Sequence, residues 1–190
     1  MIQPRTLYAW DADRDRRLVC VAEAPFGDDG EALMLFNGMS LDPGVTINLE
    51  LPRKGAVADF LYSPTLHLFV SERAVAVIRR ANVPQMRTHP VVLRDRVGRA
   101  LDDTYSWINV MPLVALLDRE RSVFTEREYG GGIQSLSHLV VAEHTVPPDD
   151  LFLFRELNLA VFSEPLVRAL AAIDVTGAVF EDLNGLTWPT

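Results

Sequence analysis

The sequence predicts an α+β fold with few helices and a mixed or antiparallel sheet. We expect a β-meander over residues 1–60 and two similar strand–helix–strand units over residues 61–190, packed as one compact unit. Short apolar runs separated by turn signals support the first part. Apolar residues that recur twice at helical spacing support the second. The two helical segments align at a constant offset, as Leu166 and Ala74 illustrate.

The first third of the chain contains four candidate strands, at residues 6–10, 17–23, 32–36 and 46–51. The segments 27–30 (GDDG) and 41–44 (LDPG) separate the later strands. Their Gly, Asp and Pro residues favour turns for known conformational reasons. Short strands joined by such turns predict a β-meander.

Two later segments each combine an apolar strand, a Ser-Glu pair and an amphipathic helix. The apolar runs are 66–70 and 157–162, and strands at 89–94 and 178–180 are predicted after the helices. A serine at the N-cap accepts a backbone N–H, and a glutamate in the first turn meets the positive end of the helix dipole. We therefore interpret both pairs as structural helix-start residues. They are Ser71, Glu72, Ser163 and Glu164.

The charge distribution favours a basic protein partner over nucleic acid or an anionic membrane. The net charge is −8, and it is divided as −4 over residues 1–60, +2 over 61–130 and −6 over 131–190. Cys20 is the only cysteine, which excludes an internal disulfide and fits a reducing compartment. We find no apolar signal core and no apolar run of membrane-spanning length, so we expect a cytoplasmic protein.

No catalytic or metal-binding pattern is evident, which favours a binding protein over an enzyme. The histidines lack the i, i+4 spacing of zinc ligands, and we interpret His67 and His89 as surface or edge residues. The sequence around Ser40 lacks the second glycine of a nucleophile-elbow motif. The aspartates at 11, 13 and 15 are followed by Arg16 where a calcium loop needs glycine. We predict no cofactor, no metal and no catalytic residue.

The pattern 66–73 (LHLFVSER), followed by a helix and 88–93 (THPVVL), resembles the myxobacterial-type immunity-protein family. Members carry a second Ser-Glu helix near the C-terminus, which corresponds here to 161–165 (VFSEP) and 177–180 (GAVF). The resemblance covers about residues 60–185. It implies an inhibitor of a cognate polymorphic or type VI secretion toxin, and it carries over no active-site residue.

A cytosolic antidote implies a toxin with a cytosolic target, and an acidic antidote suits the basic active site of a nuclease. We therefore expect a nuclease toxin as the partner, and neither nucleic acid nor membrane. Candidate toxin contacts are loop carboxylates: Asp28, Asp29, Glu31, Asp149 and Asp150. A regulatory module that binds another protein, and an enzyme whose residues converge only in the fold, remain alternatives.

Overall fold

The computed structural model describes residues 5–12, 18–21, 25–31, 33–35, 41–42, 44–52, 55–62, 67–111, 113–127 and 133–187. These residues form mixed β-sheets and two short α-helices, which confirms the α+β class with few helices. Ser40, Asp13 and Asp15 lie outside the described residues. The strands are β1 (Leu7–Ala12), β2 (Leu18–Val21), β3 (Ile47–Glu50), β4 (Ala56–Tyr62), β5 (Leu68–Ser71), β6 (Met86–Arg94), β7 (Ala100–Val110), β8 (Leu113–Val114), β9 (Val123–Glu126), β10 (Ile133–His138), β11 (Leu151–Phe154), β12 (Leu159–Ser163) and β13 (Ala178–Asp182). The helices are α1 (Glu72–Ile78) and α2 (Glu164–Ala171).

The two predicted repeat units lie in different sheets. The first sheet has the order β13-β1-β12-β11-β8, and the second has the order β2-β4-β5-β7-β6-β3. Strands β9 and β10 form a separate antiparallel pair. The parallel pairs β8/β11, β2/β4 and β3/β6 all lie at sheet edges, so the centre of each sheet is antiparallel.

The predicted duplication corresponds to a shared order of four antiparallel strands. The order β4-β5-β7-β6 in the second sheet matches β11-β12-β1-β13 in the first, with a helix following the second strand of each set. Strand β1 therefore takes the place in one unit that β7 takes in the other. It does so although it precedes all the other strands in the chain.

The meander prediction is wrong, because β1 pairs with β12 and β13 instead of β2. Leu7, Ala9 and Trp10 are all buried. A strand that buries residues on both faces belongs in the middle of a sheet, where it needs a neighbour on each side. The turn signals in the sequence indicate chain reversal but not which strands become partners.

The prediction of a strand at 32–36 is also wrong, because residues 33–35, which the structure describes, form no strand. The N–H of Leu33 donates to the carbonyl oxygen of Pro25 at 2.9 Å, which closes a loop. The pairing in this part of the chain is an isolated antiparallel bridge between Phe26, which precedes the loop, and Asn48 on β3. The apolar character of this segment is explained by Leu35, which is buried against the outer face of the second sheet.

Both faces of the central strands are buried, which explains the continuous apolar runs in the sequence. In β12, Ala160 and Phe162 face a central core, whereas Leu159 and Val161 face an outer cluster. The central core lies between the two sheets and receives apolar side chains from both helices. The strand β5 alternates in the same way between the central core and the outer cluster of its own sheet.

Both helices begin where the sequence predicts. Ser71 and Ser163 occupy the N-cap positions, followed by Glu72 and Glu164 in the first turns. The hydroxyl oxygen of Ser163 accepts the N–H of Leu166 at 3.4 Å. The equivalent capping bond is absent at Ser71, so that detail of the prediction is wrong. The Ser71 hydroxyl donates a hydrogen bond to a nearby carboxylate at 2.6 Å.

Candidate functional site

An acidic turn, residues 27–31, projects three carboxylates into solvent beside the edge strand β3. Asp28, Asp29 and Glu31 are all exposed. The N–H of Gly27 donates to the carbonyl oxygen of Glu31 at 2.9 Å, and the Asp29 carboxylate accepts the N–H of Glu31 at 3.0 Å. Gly30 has a φ of +83°, which an L side chain rarely adopts. Local bonds therefore define the turn and leave its charges available.

Asn48 on β3 fixes the acidic turn to the second sheet. Its side chain is fully buried, and its Nδ2 donates to the Asp28 carboxylate at 3.1 Å and to the carbonyl oxygen of Phe26 at 3.3 Å. Its Oδ1 accepts from Nε of Arg94 at 2.7 Å. The hydrogen bonds from Asn48 and then Thr46 lower the pKa of Asp28, so this carboxylate stays ionised at neutral pH.

The same network reaches the end of the β6–β7 hairpin, which we call the hairpin tip (residues 95–99). Arg94 donates from a terminal guanidinium nitrogen to the carbonyl oxygen of Gly98 at 3.0 Å. Asn48 thus links the acidic turn to the hairpin tip through Arg94. We refer to the acidic turn and the hairpin tip together as the turn–tip surface.

Asp95 holds the hairpin tip in one conformation. Its carboxylate accepts the N–H of Val97 at 3.0 Å, and the N–H and Nε of Arg99, each at 2.9 Å. Burial alone would raise the pKa of Asp95, but the hydrogen bonds from Arg99 and Val97 outweigh it and lower this pKa. The sequence gives no sign that this segment joins the acidic turn.

The other predicted contacts, Asp149 and Asp150, lie in a different network. The Asp150 carboxylate accepts the Ser163 hydroxyl at 2.5 Å and the N–H of Asn82 at 2.9 Å, and it forms an ion pair with Arg5. Asp149 is half-buried, and its carbonyl oxygen accepts from Arg5 at 2.8 Å. The contacts of Asp150 give it a structural role, and toxin binding by either residue remains a prediction.

Asp59 is the counterpart of Asp150 in the other unit, and sequence reasoning missed it. The register β4/β5 places Asp59 opposite Ser71, as the register β11/β12 places Asp150 opposite Ser163. The Asp59 carboxylate accepts the Ser71 hydroxyl and Nε of Arg73, both at 2.6 Å. The two aspartates are 91 positions apart and the two serines 92, so the two units align with a shift of one residue between the aspartate and the serine.

The two aspartates form a reciprocal clamp between the units. Asp59 also accepts the N–H of Thr176, in the segment that follows α2, at 2.9 Å. Asp150 correspondingly accepts the N–H of Asn82, in the segment that follows α1. Burial would raise the pKa of Asp59, but its hydrogen bonds, led by those from Arg73, hold the pKa well below its usual value.

His67, His89 and Trp107 form an aromatic cluster in the second sheet. The prediction that His67 is a surface or edge residue is wrong, since it is only 4% exposed. His89 stacks on Trp107 with ring centroids 5.1 Å apart, and His67 meets the same ring edge-on at 5.6 Å. Among the described residues, none forms a hydrogen bond with Nδ1 of His67, Nε2 of His89 or Nε1 of Trp107. In the part of the chain that the structure describes, no group of three metal-ligating side chains was found.

Comparisons with known proteins place this architecture in a family. A family model described as "Immunity protein family (Imm11)" matches residues 43–185, which run from just before β3 through β13 and include the hairpin tip. The acidic turn (residues 27–31) lies outside the matched region. No curated protein matches the chain. Among the described residues, no helix is long and apolar enough to cross a membrane.

Proposed function

Because the chain belongs to the Imm11 immunity protein family, we propose that it binds and neutralises a cognate nuclease toxin delivered by a type VI or related secretion system. The family match over residues 43–185 is the observation that carries the proposal. The protein acts in the cytoplasm of the producing cell and its sister cells, where such a toxin meets its substrate. It acts by binding and needs no catalysis of its own.

We propose that the acidic turn enters the basic active site of the toxin. Active sites that hold phosphate are lined with cationic groups, and three exposed carboxylates on one turn compete for them. The net charge of −8 steers association with a basic partner. The bonds from Asn48 support this role, because they hold the turn in place before binding and so reduce the entropy lost on association. Asp149 and Asp150 are proposed as a secondary contact.

The test begins with the toxin domain encoded by the adjacent gene. We expect the purified protein to form a stoichiometric complex with that domain and to abolish its cleavage of plasmid DNA or total RNA. Failure to form a complex would reject the proposal. A stable complex in which the toxin does not cleave nucleic acid in any state would keep the immunity role but reject a nuclease target.

A matched pair of charge reversals tests the acidic turn. Glu31→Lys and Glu143→Lys change the net charge equally, and both glutamates are exposed, but only Glu31 lies in the acidic turn. We expect Glu31→Lys to slow association at low salt by at least about threefold relative to Glu143→Lys. The difference should shrink at high salt. Equal association rates for the two variants would show that overall charge, and not the turn, determines the rate.

A further inference from the structure

Val97, at the centre of the hairpin tip, is an apolar side chain held out into solvent. It is 73% exposed, and Leu101, at the start of β7, is 53% exposed. The register between β5 and β7 ends at Ser71 and Tyr105, because the chain leaves β5 and enters α1 at Glu72. The tip therefore extends past the adjoining strand β5. Val97 and Leu101 are therefore available for contact with another protein surface.

The backbone around Val97 is held by several hydrogen bonds, although its side chain is exposed. The carboxylate of Asp95 accepts the N–H groups of Val97 and Arg99, and the N–H of Gly98 donates to the Asp95 carbonyl oxygen at 2.8 Å. Gly98 has a φ of +79°, which completes the tight turn. A backbone segment that is already held in place loses little conformational entropy when a partner binds it.

The charges around Val97 are asymmetric. Arg96 and Arg99 are exposed on the tip itself, while the acidic turn contributes Asp28 and its neighbours through the Asn48–Arg94 link. A partner that covers both parts therefore meets cations on one side of the apolar contact and carboxylates on the other. Such an arrangement fixes the orientation of a partner as well as attracting it.

We propose that the turn–tip surface is the docking site for the cognate toxin and that Val97 is its apolar anchor. The toxin would supply an apolar pocket for Val97, carboxylates that face Arg96 and Arg99, and cationic groups that face the acidic turn. This inference rests on the proposed function and assigns the contact residues within it. A second copy of the chain fits less well as the occupant, because two molecules of charge −8 repel each other.

Dissociation rates separate this docking role from electrostatic steering. We would measure binding to the toxin domain encoded by the adjacent gene for Val97→Asp and Val97→Ser, with Val123→Asp as the control. Val123 is 57% exposed on β9, in the strand pair that packs against the outer face of the other sheet. We expect Val97→Asp to weaken binding by at least about 30-fold through faster dissociation, the effect expected of a hot-spot residue. Val97→Ser should have a smaller effect in the same direction, and Val123→Asp should match the wild type.

The outcomes distinguish this inference from the proposed function. If the wild type binds the toxin and both Val97 variants dissociate at the wild-type rate, the proposed docking site is overturned and the immunity role stands. Absence of wild-type binding would overturn both. A wild-type dimer in light scattering that Val97→Asp converts to a monomer would assign the tip to self-association and overturn the inference. Unaltered thermal midpoints of the variants would show that the changes reflect contact with the toxin and not misfolding.

Discussion

Replacing Asp59 with asparagine should substantially destabilise the protein at neutral pH. The carboxylate is 7% exposed, and it accepts hydrogen bonds from Ser71, Arg73 and Thr176 on three separate elements. Removing one partner of a buried, hydrogen-bonded charge pair costs about 3–5 kcal/mol. Arg73 is half-exposed and regains water, so we expect the lower limit, about 3 kcal/mol. For a chain of this length that corresponds to a fall of about 6–12 °C in the thermal midpoint.

The effect of Asp59→Asn should depend on pH in a defined direction. Because the hydrogen bonds lower the pKa of Asp59 in the folded state, its stabilisation is fully present above the pKa of the unfolded chain, about 3.9. The stabilisation is lost as the pH falls towards the folded-state pKa. Urea denaturation followed by tryptophan fluorescence should therefore show a constant gap between wild type and variant near neutral pH. The gap should narrow below about pH 4.

Asp182→Asn is the matched control for this experiment. The Asp182 carboxylate also accepts a backbone N–H, from Asn184 at 2.9 Å, but the residue is exposed and its contacts are local. We expect this variant to lose less than about 1 kcal/mol. Two results would refute the clamp as described: a loss at Asp59→Asn no larger than that of the control, or a gap from wild type that is the same at pH 3 as at pH 7.

Three further variants test other parts of the fold. Gly177→Ala should lower the free energy of unfolding by more than about 2 kcal/mol, because an added Cβ would lie 2.3 Å from a backbone oxygen of β4. Gly30 has nearly the same φ but open space around it, so we expect Gly30→Ala to lower this free energy by only about 1 kcal/mol. Burial lowers the pKa of His67, so the free energy of unfolding of the wild type should decrease as the pH falls below about 6.5, where the unfolded chain binds the proton. If urea titrations show the same dependence of this free energy on pH for His67→Phe, the expectation is contradicted. Asn48→Ala should speed amide hydrogen exchange in the acidic turn while leaving α2 protected. If exchange instead becomes faster to the same extent in the acidic turn and in α2, Asn48 supports the whole fold.

The features that were predictable from the sequence are those with local causes. The Ser-Glu pairs at 71–72 and 163–164 start helices because the N-cap position and the first turn favour those residues wherever they occur. The apolar runs before them become buried strands for similarly local reasons. The exposed carboxylates of the acidic turn were also predictable, because Gly and Asp residues between apolar runs favour a surface turn.

The features that were missed depend on distant partners. Asp59 finds Thr176 at a separation of 117 residues, and β1 finds β12 and β13, and no local pattern encodes either choice. His67 alternates with apolar residues as a half-exposed strand residue would, yet it is buried and hydrogen-bonded to the backbone of Leu35. The hairpin tip joins the acidic turn because Asn48 on β3 bonds both to Asp28 in the turn and to Arg94 on the parallel neighbour β6.

The position of β1 has a consequence for how the protein is made. Leu7 pairs with Ser163, so at ordinary rates of translation β1 waits about 8–30 s on the ribosome before its partner strand emerges. During that time its buried residues, including Trp10, have no sheet to cover them, which makes the nascent chain dependent on chaperones or vulnerable to aggregation. The strands of the second sheet, including the turn–tip surface, are all complete by residue 110. The part proposed to meet the toxin is therefore synthesised before the part that closes around β1.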